Sequence, residues 1–240
     1  MNILVLGGAR DFHAIDWYRN IKELDSNDEV FFLTDTISSE ALSYKFCSGD
    51  NIDKLFVVDR FLLKNNSKYA NLWRNIFKLL IIPIQVFRLI KYFNERKIDI
   101  VHAHPLYYMF LCFLSNIPYI GTPQGSEILI RPYRSRIYRF ISGIILSKAK
   151  LVTVDSLLMK SSISNITKAN ILIVQNGVDT SLFLKSSSTI KNIPICSVRG
   201  LTELYRIDNI FDSRNKSLPE IPISTVYPFC SLEYSHYVYN

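Results

Sequence analysis

Short apolar runs separated by helical segments constrain the fold of this 240-residue chain more than any other feature of its sequence. The runs read ILVL, VFFL, LFVV, LVTV and ILIV, and none of them alternates regularly between apolar and polar residues. Such runs are typical of strands in a parallel sheet that is covered on both faces. Because helical segments lie between them, we predict a doubly wound α/β fold with a Rossmann-like parallel sheet.

The same patterns locate the individual elements along the first part of the chain. The predicted strands span residues 2–6, 29–34, 54–58, 99–102, 118–122, 151–155 and 171–175. The predicted helices span residues 14–24, 72–96, 106–114, 133–147 and 156–165. Together they make up a first domain that we expect to cover residues 1–183.

A Ser/Thr/Lys-rich stretch over residues 184–192 predicts a linker after this domain. Residues 193–240 then contain a strand at 195–198, a helix near 206–214 and a strand at 223–227. One β-α-β unit is too small to bury a core of its own. We therefore expect residues 193–240 to be the truncated start of a second domain.

The composition favours a globular protein with an anionic partner. The chain is 48% hydrophobic and 20% charged, with a formal net charge of +7. Its four cysteines are too far apart for the C-x-x-C spacing of metal and redox sites. Because no secretory signal or membrane-spanning run is visible, we expect a cytoplasmic location.

Basic and aromatic residues are interleaved in two helical stretches, Trp73–Arg96 and Arg131–Lys150. Amphipathic helices of this kind suit an anionic membrane surface, although nucleic acid uses similar chemistry. Burial against the sheet is the alternative that we favour for most of the apolar stripe of Trp73–Arg96. We expect peripheral contact with the inner face of the cytoplasmic membrane, and no nucleic-acid partner.

Polar side chains follow two successive strands between Ile98 and Glu127, where ligands bind in open α/β sheets. His102 and His104 point the same way from an extended segment, but zinc would need a third ligand. The sequence therefore predicts hydrogen bonding to a small polar ligand, and no metal. The loop after the second of these strands contains Gln124, Gly125, Ser126 and Glu127.

The loop GGARDFH follows the first predicted strand. Gly7 and Gly8 permit close backbone approach, and the start of the next helix favours anions. The loop lacks the G-x-G-x-x-G spacing of dinucleotide sites, so it is either a general ligand loop or a structural turn. His13 either reaches the ligand or caps and packs the helix.

The segments MNILVLGG, DIVHAH, IPYIGTPQGSEIL, AKLVTVDS and ILIVQNGVDTSLF occur in this order within residues 1–183. This series resembles the N-terminal half of the GT-B glycosyltransferases of family 4, the glycosyl transferases group 1. The resemblance implies two Rossmann-like domains that face each other across a cleft. The first would hold the acceptor and the second a nucleotide sugar, with retaining transfer that requires no metal or other cofactor.

The resemblance also assigns residues by position. Gly7 and Gly8 match a loop that meets the donor phosphate and the acceptor, and Gln124 stands where many members have a histidine. Arg199 and Arg206 match the positions that bind the donor diphosphate, although the spacing of Arg206 is longer. The donor-binding E-x7-E segment would lie beyond residue 240.

We therefore expect a truncated hexosyl transferase that serves bacterial surface-glycan synthesis, such as lipopolysaccharide or capsule. The nucleotide sugar would be the donor, and a lipid-linked or polysaccharide glycan the acceptor. The catalytic residue is unassigned. Two alternatives stay open: a non-catalytic sugar-binding half that needs a separate C-terminal partner, and a nucleotide-dependent reductase. The expected acceptor-binding residues are Gly7, Gly8, His13, His102, Gln124, Gly125, Ser126 and Glu127.

Overall fold

A computed structural model of the chain divides into two compact units, Met1–Gly177 and Val178–Asn240. The residues that the structure describes are 1–9, 11–24, 27–35, 49–55, 70–175, 177, 195–197, 207–217, 220, 223–225 and 237–238. The predicted linker over residues 184–192 lies outside them, and the predicted domain boundaries stay a prediction.

The described part of the first unit alternates strands with helices. Its strands are β1 (Asn2–Gly7), β2 (Glu29–Thr34), β3 (Ile52–Lys54), β4 (Ile100–His104), β5 (Tyr119–Gly121), β6 (Leu151–Val154) and β7 (Ile171–Ile173). Its helices are α1 (Phe12–Leu24), α2 (Ala70–Glu95), α3 (Leu106–Leu114), α4 (Gly125–Leu129), α5 (Arg131–Arg134), α6 (Arg136–Lys148) and α7 (Leu157–Ser164).

These strands form one sheet in the order β3-β2-β1-β4-β5-β6-β7, and every neighbouring pair is parallel. The predicted doubly wound, Rossmann-like fold is therefore confirmed. The strand order reverses at β1, because the chain passes to β2 on one side and later returns to β4 on the other. Ligands of such sheets bind at this switch point, outside the carboxyl ends of the strands.

Alternate residues of each strand enter two separate cores, as the period of two in a strand requires. Leu4 and Leu6 of β1 pack with buried residues of α2, α3, α6 and α7. Val5 between them packs instead with Ala14, Ile15 and Tyr18 of α1. Within the described residues, α1 packs on one face of the sheet, and α2, α3, α4, α6 and α7 contribute buried side chains to the core on the opposite face.

Local signals set the helix boundaries. Ser135 is extended, with φ −142° and ψ 118°, and its hydroxyl accepts a hydrogen bond from the Tyr138 N–H. This cap begins α6 and separates it from α5, so the predicted single helix 133–147 is wrong. Ser156 caps α7 in the same way, through the Met159 N–H. The strand predicted at 54–58 is found at Ile52–Lys54, and residues 56–58 lie outside the described residues.

The expected burial of the apolar stripe of α2 against the sheet is confirmed between Ile82 and Phe93, where Ile82, Val86, Tyr92 and Phe93 pack on the core. Gln85 and Leu89 are fully buried, but Leu79, Leu80 and Phe87 on the other side of the helix are largely exposed. A helix that is apolar on nearly all sides has more apolar surface than one sheet face can cover. In the described part of the chain, no helix combines the length and hydropathy needed to cross a bilayer.

The second unit contains β8 (Ile195–Ser197), α8 (Ile207–Ser217), β9 (Ile223–Thr225) and β10 (Tyr237–Val238) in its described residues. Strands β8 and β9 are parallel with α8 between them, which confirms the predicted β-α-β unit. Strand β10 pairs antiparallel with β9 and was not predicted.

Candidate functional site

The switch point of the sheet brings the first and fourth strands together at their carboxyl ends. Gly7, the last residue of β1, lies opposite His104, the last residue of β4. A Cβ atom at Gly7 would lie 2.7 Å from the Ala14 Cβ and 3.1 Å from the His104 carbonyl oxygen. Close packing of β1, α1 and β4 therefore explains this glycine. Gly8 is buried beside it, and its carbonyl accepts the Asp11 N–H at 2.9 Å in the turn that leads into α1.

The Asp11 carboxylate connects three loops at this edge of the sheet. Its Oδ2 accepts a hydrogen bond from Gln124 Nε2 at 2.8 Å, and its Oδ1 accepts the His13 backbone N–H at 3.1 Å. His104 Nε2 lies 3.0 Å from the same Oδ2 and forms an ion pair with it when the imidazole is protonated. We call these residues, Asp11, His104 and Gln124, the rim junction.

Electrostatics keep Asp11 ionised. Burial alone would raise the pKa of its carboxyl group, but the contacts with His104 and His13 outweigh burial and lower the pKa below its ordinary value. His104 is itself buried, and its Nδ1 has no hydrogen-bond partner among the described residues. The rim junction is therefore a negative centre held between an imidazole and an amide.

Glu127 is a buried structural carboxylate and does not project freely into the cleft. It is buried, and its Oε2 accepts the backbone N–H groups of Leu106 and Gln124, both at 3.0 Å. Burial raises the pKa of Glu127, although these two hydrogen bonds act in the opposite direction. Glu127 thus holds the starts of α3 and α4 together. Its expected role in acceptor binding stays a prediction.

His102 lies beneath the rim, two residues before His104 on β4. Its ring contacts the Trp17 ring at a centroid distance of 4.5 Å, and its Nε2 lies 2.7 Å from Thr122 Oγ1. The Thr122 hydroxyl in turn bonds that of Thr153 on β6. Burial, with a smaller contribution from His104, lowers the pKa of His102 to about 3, so the ring is neutral. Of the two histidines on β4, His104 is the one at the rim.

Of the remaining predicted site residues, three lie near the rim junction and two lie outside the described residues. His13 is exposed in the first turn of α1, with its ring centroid 6.2 Å from that of His104. Gly125 and Ser126 are half-buried at the start of α4, next to Gln124. Arg199 and Arg206 lie outside the described residues. No group of three His, Cys, Asp or Glu side chains suited to a metal occurs within the described ranges.

A second buried carboxylate follows β2, and the sequence pattern did not identify its partners. Asp35 is fully buried and accepts hydrogen bonds from the Tyr108 hydroxyl and, at 3.5 Å, from Gln85 Nε2. The Tyr107 hydroxyl donates to Gln85 Oε1. The available signal was Gln85 itself, a single uncharged polar residue within the apolar run LIIPIQVF. Buried amides of this kind are nearly always hydrogen-bonded.

Residues 47–182, more than half of the chain, match the family model described as Glycosyltransferase Family 4. Among solved structures, Anabaena HepE in complex with UDP and glucose has a TM-score of 0.65 at 14% identity, and the match covers 94% of this chain and 60% of HepE. Sucrose-phosphate synthase from Thermosynechococcus elongatus has a TM-score of 0.68 at 11% identity, covering 96% of this chain and 64% of the synthase.

The lipopolysaccharide outer core galactosyltransferase WaaB has a TM-score of 0.58 at 13% identity, covering 94% of this chain and 60% of WaaB. No curated protein sequence matches the chain. The chain thus spans less than two thirds of these solved structures, and at such low identities the likeness shows the fold. The family match, which does not depend on those structures, confirms the resemblance: the chain belongs to Glycosyltransferase Family 4.

Proposed function

We propose that this chain is the acceptor-side part of a retaining hexosyl transferase. In this proposal, the complete enzyme transfers a sugar from a nucleotide sugar to a lipid-linked or polysaccharide acceptor in bacterial surface-glycan synthesis. The family match supports a glycosyltransferase. HepE was solved with UDP and glucose, and WaaB is described as a lipopolysaccharide galactosyltransferase, which supports the donor and acceptor classes.

The rim junction is the observation that carries the acceptor-side proposal. Three loops meet at the switch point of the sheet through Asp11, which accepts a hydrogen bond from Gln124 Nε2. The Gln124 side chain also accepts the Glu127 backbone N–H in a capping box, and the second lone pair of its amide oxygen can accept a sugar hydroxyl. Sugar hydroxyls donate to carboxylate and amide oxygens of this kind. We propose that Asp11 and Gln124 orient the acceptor and that exposed His13 packs beside it.

The negative charge at the rim supports binding of the donor diphosphate by the second domain and not by the first. The buried acids Asp35 and Glu127 lie at the same edge of the sheet as Asp11, which would oppose the binding of a diphosphate. We therefore propose that the donor diphosphate is bound by Arg199 and Arg206. Guanidinium groups bind phosphate oxygens bidentately, and their charge would stabilise the departing nucleoside diphosphate. No metal is part of this proposal.

A transfer assay tests this function. The chain is incubated with radiolabelled UDP- and GDP-sugars and with a lipid-linked glycan fraction, with and without a family 4 C-terminal half supplied as a separate polypeptide. We expect label in the glycan fraction. Replacing Asp11 with Asn should lower kcat/KM for the acceptor about tenfold to a hundredfold, through lost orientation. Asp16→Asn, an exposed change on α1 just after Asp11, is the control and should have no effect.

A sugar-binding half that acts only with a separate partner is the second candidate. Transfer that requires the added C-terminal half would support this candidate. No transfer in either arm, together with a rise in Tm on adding NADH but not UDP or GDP, would contradict both and support a reductase.

A further inference from the structure

His102 lies between the two segments that are joined by the hydrogen bond from Gln124 to Asp11. On one side, its ring contacts the Trp17 ring of α1, the helix that begins just after Asp11. On the other side, its Nε2 lies 2.7 Å from Thr122 Oγ1, two residues before Gln124. His102 is only 4% exposed, so it is almost closed to a ligand at the rim. It therefore touches both segments that form the rim junction without being part of the open surface.

The hydrogen bonds of His102 form a directed chain beneath the rim. Its Nδ1 is buried and has no partner among the described residues. Unpaired buried N–H groups are rarer than unpaired buried acceptors, so we assign the single proton of the neutral ring to Nε2. The Nε2–H group then donates to the Thr122 hydroxyl, and this hydroxyl donates to that of Thr153. The chain thus joins β4, the loop that follows β5, and β6.

We propose that His102 is a positioning residue, which keeps Gln124 within hydrogen-bonding distance of Asp11 by packing on Trp17 and donating to Thr122. This role differs from direct contact with the acceptor, which the sequence predicted for His102. A small displacement of a group that orients a substrate is costly, so a loosened loop would weaken acceptor binding. That effect on the acceptor rests on the proposed function, whereas the effect on the bond between Gln124 and Asp11 does not.

Two pairs of variants separate positioning from general stability. His102→Leu removes the ring nitrogens, whereas His102→Gln keeps an amide N–H group that can donate to Thr122. Thr122→Val removes the hydroxyl but keeps the branched shape, and it gives a second test should His102→Leu fail to fold. Tyr119→Phe is the matched control. The Tyr119 hydroxyl donates to the Ile145 carbonyl in the core on the opposite face of the sheet, so this variant loses a buried hydrogen bond away from the rim.

Solvent exchange of the Gln124 side-chain amide protons, followed by NMR of the isotope-labelled full chain, tests the proposal without any sugar. A proton held in a hydrogen bond exchanges only when that bond opens. We expect exchange in His102→Leu and Thr122→Val to be at least about tenfold faster than in the unchanged chain. In His102→Gln and Tyr119→Phe, it should stay within about twofold of the unchanged rate. Nitrogen spectra of the ring should show His102 as the Nε2–H tautomer.

In the transfer assay, His102→Leu and Thr122→Val should raise the acceptor KM about threefold to tenfold and leave the KM of the nucleotide sugar unchanged. His102→Gln should restore the acceptor KM. Three results would overturn the positioning role: an Nδ1–H tautomer of His102, unchanged exchange at Gln124 in both variants, or an equal rise in acceptor KM in Tyr119→Phe. Absence of transfer in every form would contradict the proposed function alone, because the exchange rates at Gln124 still decide the role of His102.

Discussion

The rim junction and the outer helix face are both surface regions, yet they are built in opposite ways. The outer helix face consists of the exposed apolar side chains of α2 (Leu79, Leu80 and Phe87) and of α6 (Ile137, Phe140 and Ile141). At the rim, Asp11 is held by Gln124 and His104, which are far from it in sequence, and its polar atoms are largely satisfied within the chain. On the outer helix face, side chains such as Leu80 and Phe140 extend from single helices and are exposed. The rim junction thus depends on tertiary contacts, whereas the outer helix face depends only on the periodicity of single helices. Substitutions should therefore be costly at the rim and nearly neutral on the outer helix face.

The largest expected effect is at the last residue of β1. Gly7→Ala should destabilise the fold by about 3 kcal/mol, because the new methyl group meets the Ala14 Cβ and a backbone carbonyl in a packed interior. Urea unfolding followed by circular dichroism measures it. Gly125→Ala is the control, since its Cβ meets only Leu129 Cδ1, at 4.0 Å, and should change stability by less than about 0.5 kcal/mol. Equal losses in the two variants would mean that the packing of β1 against α1 and β4 is looser than described.

The next effect is a pH dependence beneath the rim. The pKa of His102 is lowered to about 3 in the folded chain, so the unfolded chain binds this proton first as the pH falls. The contribution of His102 to the free energy of unfolding is fully present above its pKa in the unfolded chain, about 6.5. It falls by about 1.4 kcal/mol per pH unit as the pH drops from there towards the pKa in the folded chain. His102→Gln should flatten the curve of unfolding free energy between about pH 6 and pH 4. An unchanged slope would show that His102 does not titrate in this way.

Loss of the Asp11 carboxylate should lower the stability of the fold by a smaller amount, and this loss should depend on pH in the acid range. Its lowered pKa means that its contribution is present above the unfolded value of about 3.9 and is lost as the pH falls through the folded value. Asp11→Asn should cost about 1.5 kcal/mol at pH 7, a typical value for hydrogen bonds to a charged group, and progressively less in acid. Denaturation midpoints measured at several pH values test this. A cost that does not depend on pH would mean that the carboxylate charge contributes nothing.

The smallest effect is expected on the outer helix face. Phe140→Gln should change the unfolding free energy by less than about 0.5 kcal/mol, because the ring is exposed and leaves no cavity. Chemical denaturation of the variant beside the unchanged chain measures the difference. A loss of about 2 kcal/mol or more would show that the ring is buried in the folded protein, and would remove the contrast with the rim.

The sequence predicted the order of strands and helices well because that information is local. Runs such as ILVL and VFFL have the period and the residue types of buried strands wherever they occur. The boundary between α5 and α6 was missed because it depends on the hydroxyl of Ser135, a serine within a stretch of helical pattern. The apolar residues of α2 were detected, but which of them would be buried depends on how much sheet surface is available to cover them.

The rim was only partly predictable. Gln124 was identified from its loop, but its bond to Asp11 joins residues 113 positions apart, which no local pattern records. His102 was chosen over His104, although register decides between them: His104 lies opposite Gly7 at the end of β1, and His102 lies below it. Counting back from the glycine turn would have favoured His104. Asp35, Gln85 and Tyr108 form their cluster through three separate elements, so only their unusual polarity was visible.

In the proposed enzyme, the rim junction binds the acceptor and the second domain binds the donor. Steady-state transfer kinetics of the Gln124→Ala variant, in the form of the enzyme that shows transfer, distinguish the two binding roles. We expect the acceptor KM to rise about tenfold and the KM for the nucleotide sugar to stay unchanged, because the variant loses a hydrogen bond to one substrate only. A raised KM for the nucleotide sugar with an unchanged acceptor KM would contradict it.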